Sequence, residues 1–248
     1  MPGPLRLPRV IGHRGAAGCA PENTLAGFRR ARALGCRWVE FDVRLSADRH
    51  PILLHDERLD RTTSGRGKAG RLPLAEIRRY DAGGWFNPAF AGERVPTLEA
   101  ALAVLEEEGL AANVEIKPAR GEAGETGEIA AGTLAELWPE RGWATLISSF
   151  EPLALAAAKA RAPNLPRGLL FRALPRNWRP LAEELGCVSI HLDHRRLSPA
   201  VVADVNSLGY LLLAYTVNDA TRARILFDWG VTSVFSDVPH MILAEALR

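Results

Sequence analysis

The chain is predicted to fold as an α/β protein, a closed (β/α)8 TIM barrel with a small subdomain inserted after the third strand. Three observations lead there. Apolar strand-like runs alternate with amphipathic helical stretches through the 248 residues, which implies a parallel sheet with helices outside it. Eight or nine strands in about 250 residues match the size of such a barrel, with a doubly wound open sheet as the competitor. Polar residues also gather at the C-terminal ends of the first four strands, the end at which barrels of this type carry their chemistry.

The expected strands, in order, are "RVIGH" (9–13), "RWVEFDV" (37–43), "PILLH" (51–55), "AANVEIK" (111–117) and "TLISSF" (145–150), then "RGLLF" (167–171), "CVSIHL" (187–192), "YLLLAYTV" (210–217) and "VTSVFS" (231–236). Helical patterns lie between most of them. "ENTLAGFRRARAL" follows Pro21 and an acid, as suits a helix N-terminus. "TLEAALAVLEEEG" opens with Thr97 as N-cap and closes on Gly109. "SPAVVADVNSLG" repeats this with Ser198, Pro199 and Gly209, and "DATRARILFDWG" does so from Asp219 to Gly230. The rhythm breaks at residues 56–96, which are rich in Gly, Arg and turn residues with one short helix around 73–80. They read as an insertion within one barrel domain spanning 1–248. Residues 118–127 read as an exposed loop.

Composition excludes several classes. A hydrophobic fraction of 47% suffices for a large core. A net charge of +2 gives no global attraction to nucleic acid or anionic membranes, so any recognition of an anion must be local. Cys19, Cys36 and Cys187 form neither a disulfide framework nor a zinc spacing. The N-terminal stretch lacks an apolar signal core, and runs such as "YLLLAY" are too short to span a bilayer. A cytoplasmic protein without membrane insertion is the expectation. Arginine outnumbers lysine 28 to three and glutamine is absent, a bias that either heat adaptation or a GC-rich genome produces.

The stretch "RWVEFDVRL" (37–45) raises the functional question. Its alternation puts Val39, Phe41, Val43 and Leu45 on one face and two carboxylates, Glu40 and Asp42, on the other. Side-by-side acids repel and resist burial, so a positive partner is required. Reading the strand ends in turn gives His13-Arg14-Gly15, Glu40 and Asp42, His55-Asp56, and Glu115 with Lys117. Three oxygen donors suit one hard divalent cation, Mg²⁺ or Ca²⁺, better than zinc. Arg14 and Lys117 beside it fit a phosphate. His13 and His55 supply a general acid and a general base. Taken singly, each has a bland reading: a solvent-facing E-x-D, a buried Glu–Lys salt bridge, a core histidine, a simple turn. Their joint placement at consecutive strand ends is what argues for a site.

Other polar residues carry weaker expectations. His191, in phase with Ser189 on a late strand, either lines the mouth or takes a structural position, the latter favoured. Asn218 is placed to point into the mouth; Asn23 either holds the first loop by hydrogen bonds or caps the first helix, and Asp237 either caps the last helix at 238–246 or orients a catalytic group, with capping the favoured reading of both. Asp193 and His194 read as loop surface, and the arginines within 28–32 and 222–224 as solvated helix faces. Trp85 and Phe86 either roof the pocket or staple the insertion.

"HRG" with "PENT" shortly after, then "EFDVRLSADRHPILLHDERLDRTT", "VEIKP", "YTVN" and "FSDVP", resemble in order the motifs of the glycerophosphodiester phosphodiesterase family, from residue 11 to 239. The resemblance implies a (β/α)8 barrel with Glu40, Asp42 and Glu115 as metal ligands, His13 and His55 as the acid–base pair, and Arg14 and Lys117 on the phosphate of a small-molecule glycerophosphodiester. Two departures stand out. Asp48-Arg49 replaces the usual Asp-Gly, which strains a turn that needs positive φ. Tyr215 stands where Trp is frequent, which touches leaving-group contacts. Three functions compete: hydrolysis to sn-glycerol 3-phosphate and an alcohol; lysophospholipase D action, which requires an apolar ramp around Trp85, Phe86 and Phe90; and non-catalytic capture of a phosphoester, against which the paired histidines argue.

Overall fold

The computed structural model describes residues 5–138 and 145–246. In chain order its strands are β1 (Val10–Gly12), β2 (Trp38–Leu45), β3 (Pro51–Leu53), β4 (Ala111–Ile116), β5 (Thr145–Ser149), β6 (Arg167–Phe171), β7 (Ser189–Asp193), β8 (Leu211–Tyr215) and β9 (Ser233–Ser236). The helices are α1 (Leu25–Ala33), α2 (Leu74–Ile77), α3 (Leu98–Glu108), α4 (Ala123–Leu137), α5 (Pro152–Arg161), α6 (Trp178–Leu185), α7 (Pro199–Ser207), α8 (Ala220–Trp229) and α9 (Pro239–Ala246). Eight parallel strands close a barrel: β1 pairs with β2 at Gly12 opposite Val39 and with β9 at Val10 opposite Val234.

The third strand departs from the expected stave. β3 runs antiparallel to the end of β2, with Val43 opposite Leu53 and Leu45 opposite Pro51. Between Leu45 and Pro51 there is room only for a hairpin, whereas a parallel return needs a crossover of a dozen residues or more. β3 thus begins the insertion, which has a small core of its own built from Ile52, Leu54, Leu59, Ala69, Ile77, Ala82 and Val95. The barrel staves are β1, β2 and β4 to β9. Arg49 sits in the hairpin turn at φ +63°, the left-handed conformation that its sequence context anticipated, and its guanidinium pairs with Glu122 and Glu125. The stretch expected as loop over 118–127 becomes α4 from Ala123 onward.

Helix ends follow the cap chemistry. Ala100 donates to the Thr97 hydroxyl at 3.1 Å and Gly109 closes α3 at φ +63°. Arg222 donates to Asp219 at the start of α8. At α1 the cap is Thr24, whose hydroxyl accepts from Gly27 at 3.0 Å, and not Asn23.

Period-two alternation sorts each stave. Val39, Phe41 and Val43 of β2 face the helices, with Phe41 against Phe28 of α1 at 5.2 Å between ring centroids. Burying each such aromatic side chain contributes roughly 1.5–3 kcal/mol. The opposite phase fills the barrel: Ile11, Trp38, Ala111, Leu146, Leu213 and Phe235 pack together inside it. On β6 the inward position next to His191 is Gly168, where an added Cβ would meet His191 Nε2 at 2.5 Å and Ser189 Oγ at 2.5 Å. The barrel interior therefore accommodates the His191 imidazole only because β6 has no side chain there. Gly168→Ala overpacks this layer by about 1–3 kcal/mol, and thermal unfolding should show Tm lowered by roughly 2–10 °C; an unchanged Tm would mean the interior is not packed as described.

Candidate active site

The inward phase of β2 and β4 turns polar toward the C-terminal mouth. Parallel register puts Asp42 directly opposite Glu115, and Glu40 precedes Asp42 on the same face. The three carboxylates are 1–8% exposed, and one oxygen of each lies within 4.8 Å of the others. Glu40 Oε2 accepts the Arg14 backbone N–H at 3.0 Å, while Oε1 has no hydrogen-bond partner among the described residues. Burial, with Asp42 and Glu115 adding to it, pushes the Glu40 carboxyl well above the usual range. Glu115 is raised by burial too. Asp42 resists the same burial and is held low by Arg14, Lys117 and His55.

Fixed cations flank the cluster. Lys117 Nζ lies 2.8 Å from Glu115 Oε1 and 3.6 Å from Asp42 Oδ1. Arg14 Nε lies 3.3 Å from Asp42 Oδ2, and its Nη1 donates to Glu22 at 2.9 Å. Burial opposes the charge on Arg14, but Asp42, Glu22 and Glu40 outweigh it and keep the guanidinium protonated. Lys117 follows the same pattern through Glu115 and Asp42.

Two histidines complete the mouth, each fixed by a carboxylate. His13 Nδ1 donates to Asp237 Oδ1 at 2.6 Å, which leaves Nε2 facing Glu40 at 3.8 Å. Asp237 receives a second bond from Asn218 Nδ2 at 2.7 Å. Its burial favours the acid form, but the bonds from His13 and Asn218 keep it ionised below the usual range. His55 Nδ1 donates to Asp56 Oδ1 at 2.6 Å, and burial, helped by Arg14 and Lys117, lowers the His55 pKa. Both rings thereby present Nε2 to the cavity, the tautomer that proton transfer requires.

Several supporting residues were misread or passed over in the sequence. Asn23 is a clamp on Asp42: its Nδ2 donates to Oδ2 at 2.9 Å and its Oδ1 accepts the Asp42 N–H at 3.1 Å. Asp237 orients His13, the second of the two roles its sequence position offered. Asp193 leaves the loop surface assigned to it: it is 8% exposed, lines the cavity and grips Arg195, while His194 after it is half-buried. Arg61 of the insertion forks onto Asp56 and onto Glu22, and Arg44 donates twice to the His55 carbonyl. A polar residue on a helix start reads as a cap unless the strand it faces is known, so no local signal distinguished these roles. Trp85 and Phe86 staple the insertion through Phe90 and the Ala82 carbonyl and do not line the cavity. Arg29 pairs with Glu107 and Arg222 stacks on Trp229, as helix-face arginines should.

A cavity of about 600 Å³ opens over this cluster, bounded by His13, His55, Glu40, Glu115 and, across the mouth, Phe150 and Tyr215. Below it lies His191, which touches Ser189 at 2.9 Å and is otherwise apolar in surroundings. An all-oxygen, buried, mutually repelling donor set with one orphaned oxygen fits a hard divalent cation. Among the described residues no helix is long and apolar enough to cross a membrane.

Comparison with known proteins agrees with this geometry. The model of the glycerophosphoryl diester phosphodiesterase family matches residues 13–241. A glycerophosphodiester phosphodiesterase of Caldanaerobacter subterraneus subsp. tengcongensis is 34% identical over 94% of this chain and 96% of its own length. One from Bacillus subtilis is 33% identical over 94% and 84%. The solved structure of an Oleispira antarctica phosphodiesterase, in complex with the product sn-glycerol-3-phosphate, superposes with a TM-score of 0.95 at 40% identity over 98% of both chains.

Two outcomes are expected. In EDTA, Glu40→Gln should unfold at the same or a higher temperature than the native chain, because it removes a buried repelling carboxyl. With Mg²⁺ or Ca²⁺ at about 100 times its Kd the native chain should gain about 2.7 kcal/mol and the variant far less, as differential scanning fluorimetry would record. The second concerns acid. Burial lowers His191 from 6.5 to about 3, so the unfolded chain binds the extra proton. Stability that is complete above pH 6.5 is then lost toward pH 3 at about 1.4 kcal/mol per pH unit. Urea unfolding should show the native chain losing roughly 2 kcal/mol more than His191→Asn between pH 7 and pH 5.

Proposed function

The chain belongs to the glycerophosphoryl diester phosphodiesterase family, and on that premise we propose that it hydrolyses glycerophosphodiesters to sn-glycerol 3-phosphate and an alcohol with a divalent cation as cofactor. The observation that carries the reading is the pair of carboxylate-anchored histidines facing one buried three-carboxylate cluster across a single cavity. Glu40, Asp42 and Glu115 are the residues that would hold Mg²⁺ or Ca²⁺. When bound, such an ion neutralises the non-bridging phosphate oxygens and so favours attack at phosphorus.

The chain's own groups do the rest. Arg14 and Lys117 place fixed positive charge where the diester phosphate enters. One imidazole Nε2 removes the proton from the nucleophile, which is water or the glycerol 2-hydroxyl, and the other donates a proton to the departing alkoxide. Asp237 and Asp56 hold the two rings in the correct tautomer and stabilise the imidazolium each becomes in turn. The similarity to a phosphodiesterase whose structure holds the product sn-glycerol-3-phosphate supports the product assignment. The lysophospholipid reading loses its main support, since Trp85, Phe86 and Phe90 form no ramp into the cavity.

Product analysis on a glycerophosphodiester panel, with EDTA and metal add-back, tests the proposal. Turnover should vanish in EDTA and return with the cation, and His13→Ala and His55→Ala should each lower kcat by about 10²–10⁴-fold. Near-normal turnover in both variants would refute the acid–base assignment; unchanged ligand after prolonged incubation with metal would leave a binding protein.

A further inference from the structure

The catalytic groups occupy only half of the cavity. Around the closed sheet the order is β1, β2, β4, β5, β6, β7, β8, β9, so the loops after β6 and β7 lie diametrically across the mouth from β1 and β2. That far side is cationic. Arg172, directly after β6, is in inward phase with Leu170, and Arg195 and Arg196 follow β7; all three line the cavity. Asp193 neutralises only Arg195, gripping it through Nε and Nη2 at 2.7–3.2 Å. Among the described residues, Arg172 and Arg196 have no hydrogen-bond or ion-pair partner. Three cations against one carboxylate leave this half with an excess of two positive charges.

Neither the phosphate nor the glycerol accounts for these charges. The phosphate has its place beside the carboxylate cluster, where Arg14 and Lys117 already stand. Glycerol offers neutral hydroxyls, which need no unpaired guanidinium. The far side is also ill suited to a quaternary ammonium, which binds on open aromatic faces. Of the two aromatic rings there, Phe150 already carries Lys117 Nζ 5.7 Å from its centroid, and it meets Tyr215 edge-on at 5.8 Å. The Tyr215 hydroxyl is spent on the Phe171 carbonyl at 2.8 Å.

Resting on the hydrolase reading, we infer that the site selects glycerophosphodiesters whose alcohol carries its own negative charge, with Arg172 and Arg196 receiving that anion. A carboxylate and a second phosphate supply the same chemistry, each able to accept the guanidinium fork in a bidentate fashion. A cavity lined by one sign of charge raises the local concentration of the opposite sign, an effect that salt weakens.

Four esters of sn-glycerol 3-phosphate of similar size test this: with ethylene glycol (neutral), ethanolamine (cationic), glycolate (carboxylate) and ethylene glycol monophosphate (phosphate). The kcat/KM for at least one anionic ester should exceed that for the ethanolamine ester tenfold or more, and the comparison between glycolate and phosphate tells which anion is preferred. Raising the salt from low to near-molar should compress the ratio. The double variant Arg172→Ala/Arg196→Ala, which alters two exposed side chains, should reduce the ratio by about tenfold. An anionic-to-cationic ratio below tenfold, or one that the double variant leaves unchanged, overturns the inference while hydrolysis of the neutral ester upholds the family reaction. Hydrolysis of none of the four overturns both.

Discussion

Asp42 and Glu115 face each other across adjacent parallel strands, with Glu40 one inward position away. Like charges placed directly opposite in a sheet are destabilising, and here the pair is buried as well. Everything around the mouth responds to that constraint. Arg14 and Lys117 lean onto the same carboxylates, Asn23 grips Asp42 from two sides, and the Arg14 amide meets Glu40. Neutral water could not satisfy so many converging acceptors at once; a concentrated positive charge can. The cluster therefore costs stability where it stands, the pattern expected where function rather than packing decided the residues.

Backbone strain lies in the same place. Arg14 and Asn23 adopt positive φ of +49° and +56°, conformations that cost non-glycine residues of order 1–3 kcal/mol and persist only where the surroundings enforce them. Both belong to the loop between β1 and α1. The turn brings the Arg14 amide onto Glu40 and the Asn23 amide group onto Asp42, so a single loop conformation positions two of the three acids. Asn is among the residues that tolerate the left-handed region best, which suits it to that clamp.

The insertion contributes more than a cover. By folding β3 back on β2, the chain carries His55 to the mouth without using a barrel stave. Arg61, further along the insertion, then ties Asp56 to Glu22, and Glu22 holds Arg14. One run of charge-assisted hydrogen bonds thus joins the ring of His55 to Arg14 on the neighbouring loop. Its Arg61 links are exposed to solvent, so they fix geometry more than they add stability. The small apolar core of Ile52, Leu54, Leu59 and Ile77 holds the insertion together beneath this linkage.

The sequence alone determined the barrel, the caps at Thr97 and Asp219 and the inward phase of Glu40, Asp42 and Glu115, because these rest on local patterns: apolar alternation sorts faces, and a polar residue in the inward phase at a C-terminal stave end has nowhere else to point. Local signals could not decide the direction of β3, which depends on the length of chain available for a crossover, nor the roles of Asn23, Asp56, Arg61, Asp193 and Asp237. Each of these has a satisfactory local reading as a cap, a turn or a surface group. Only closure of the barrel brings Asp237, near one end of the chain, to His13 near the other, and only then does a hydrogen bond across 224 positions replace the nearer partner that the sequence offered.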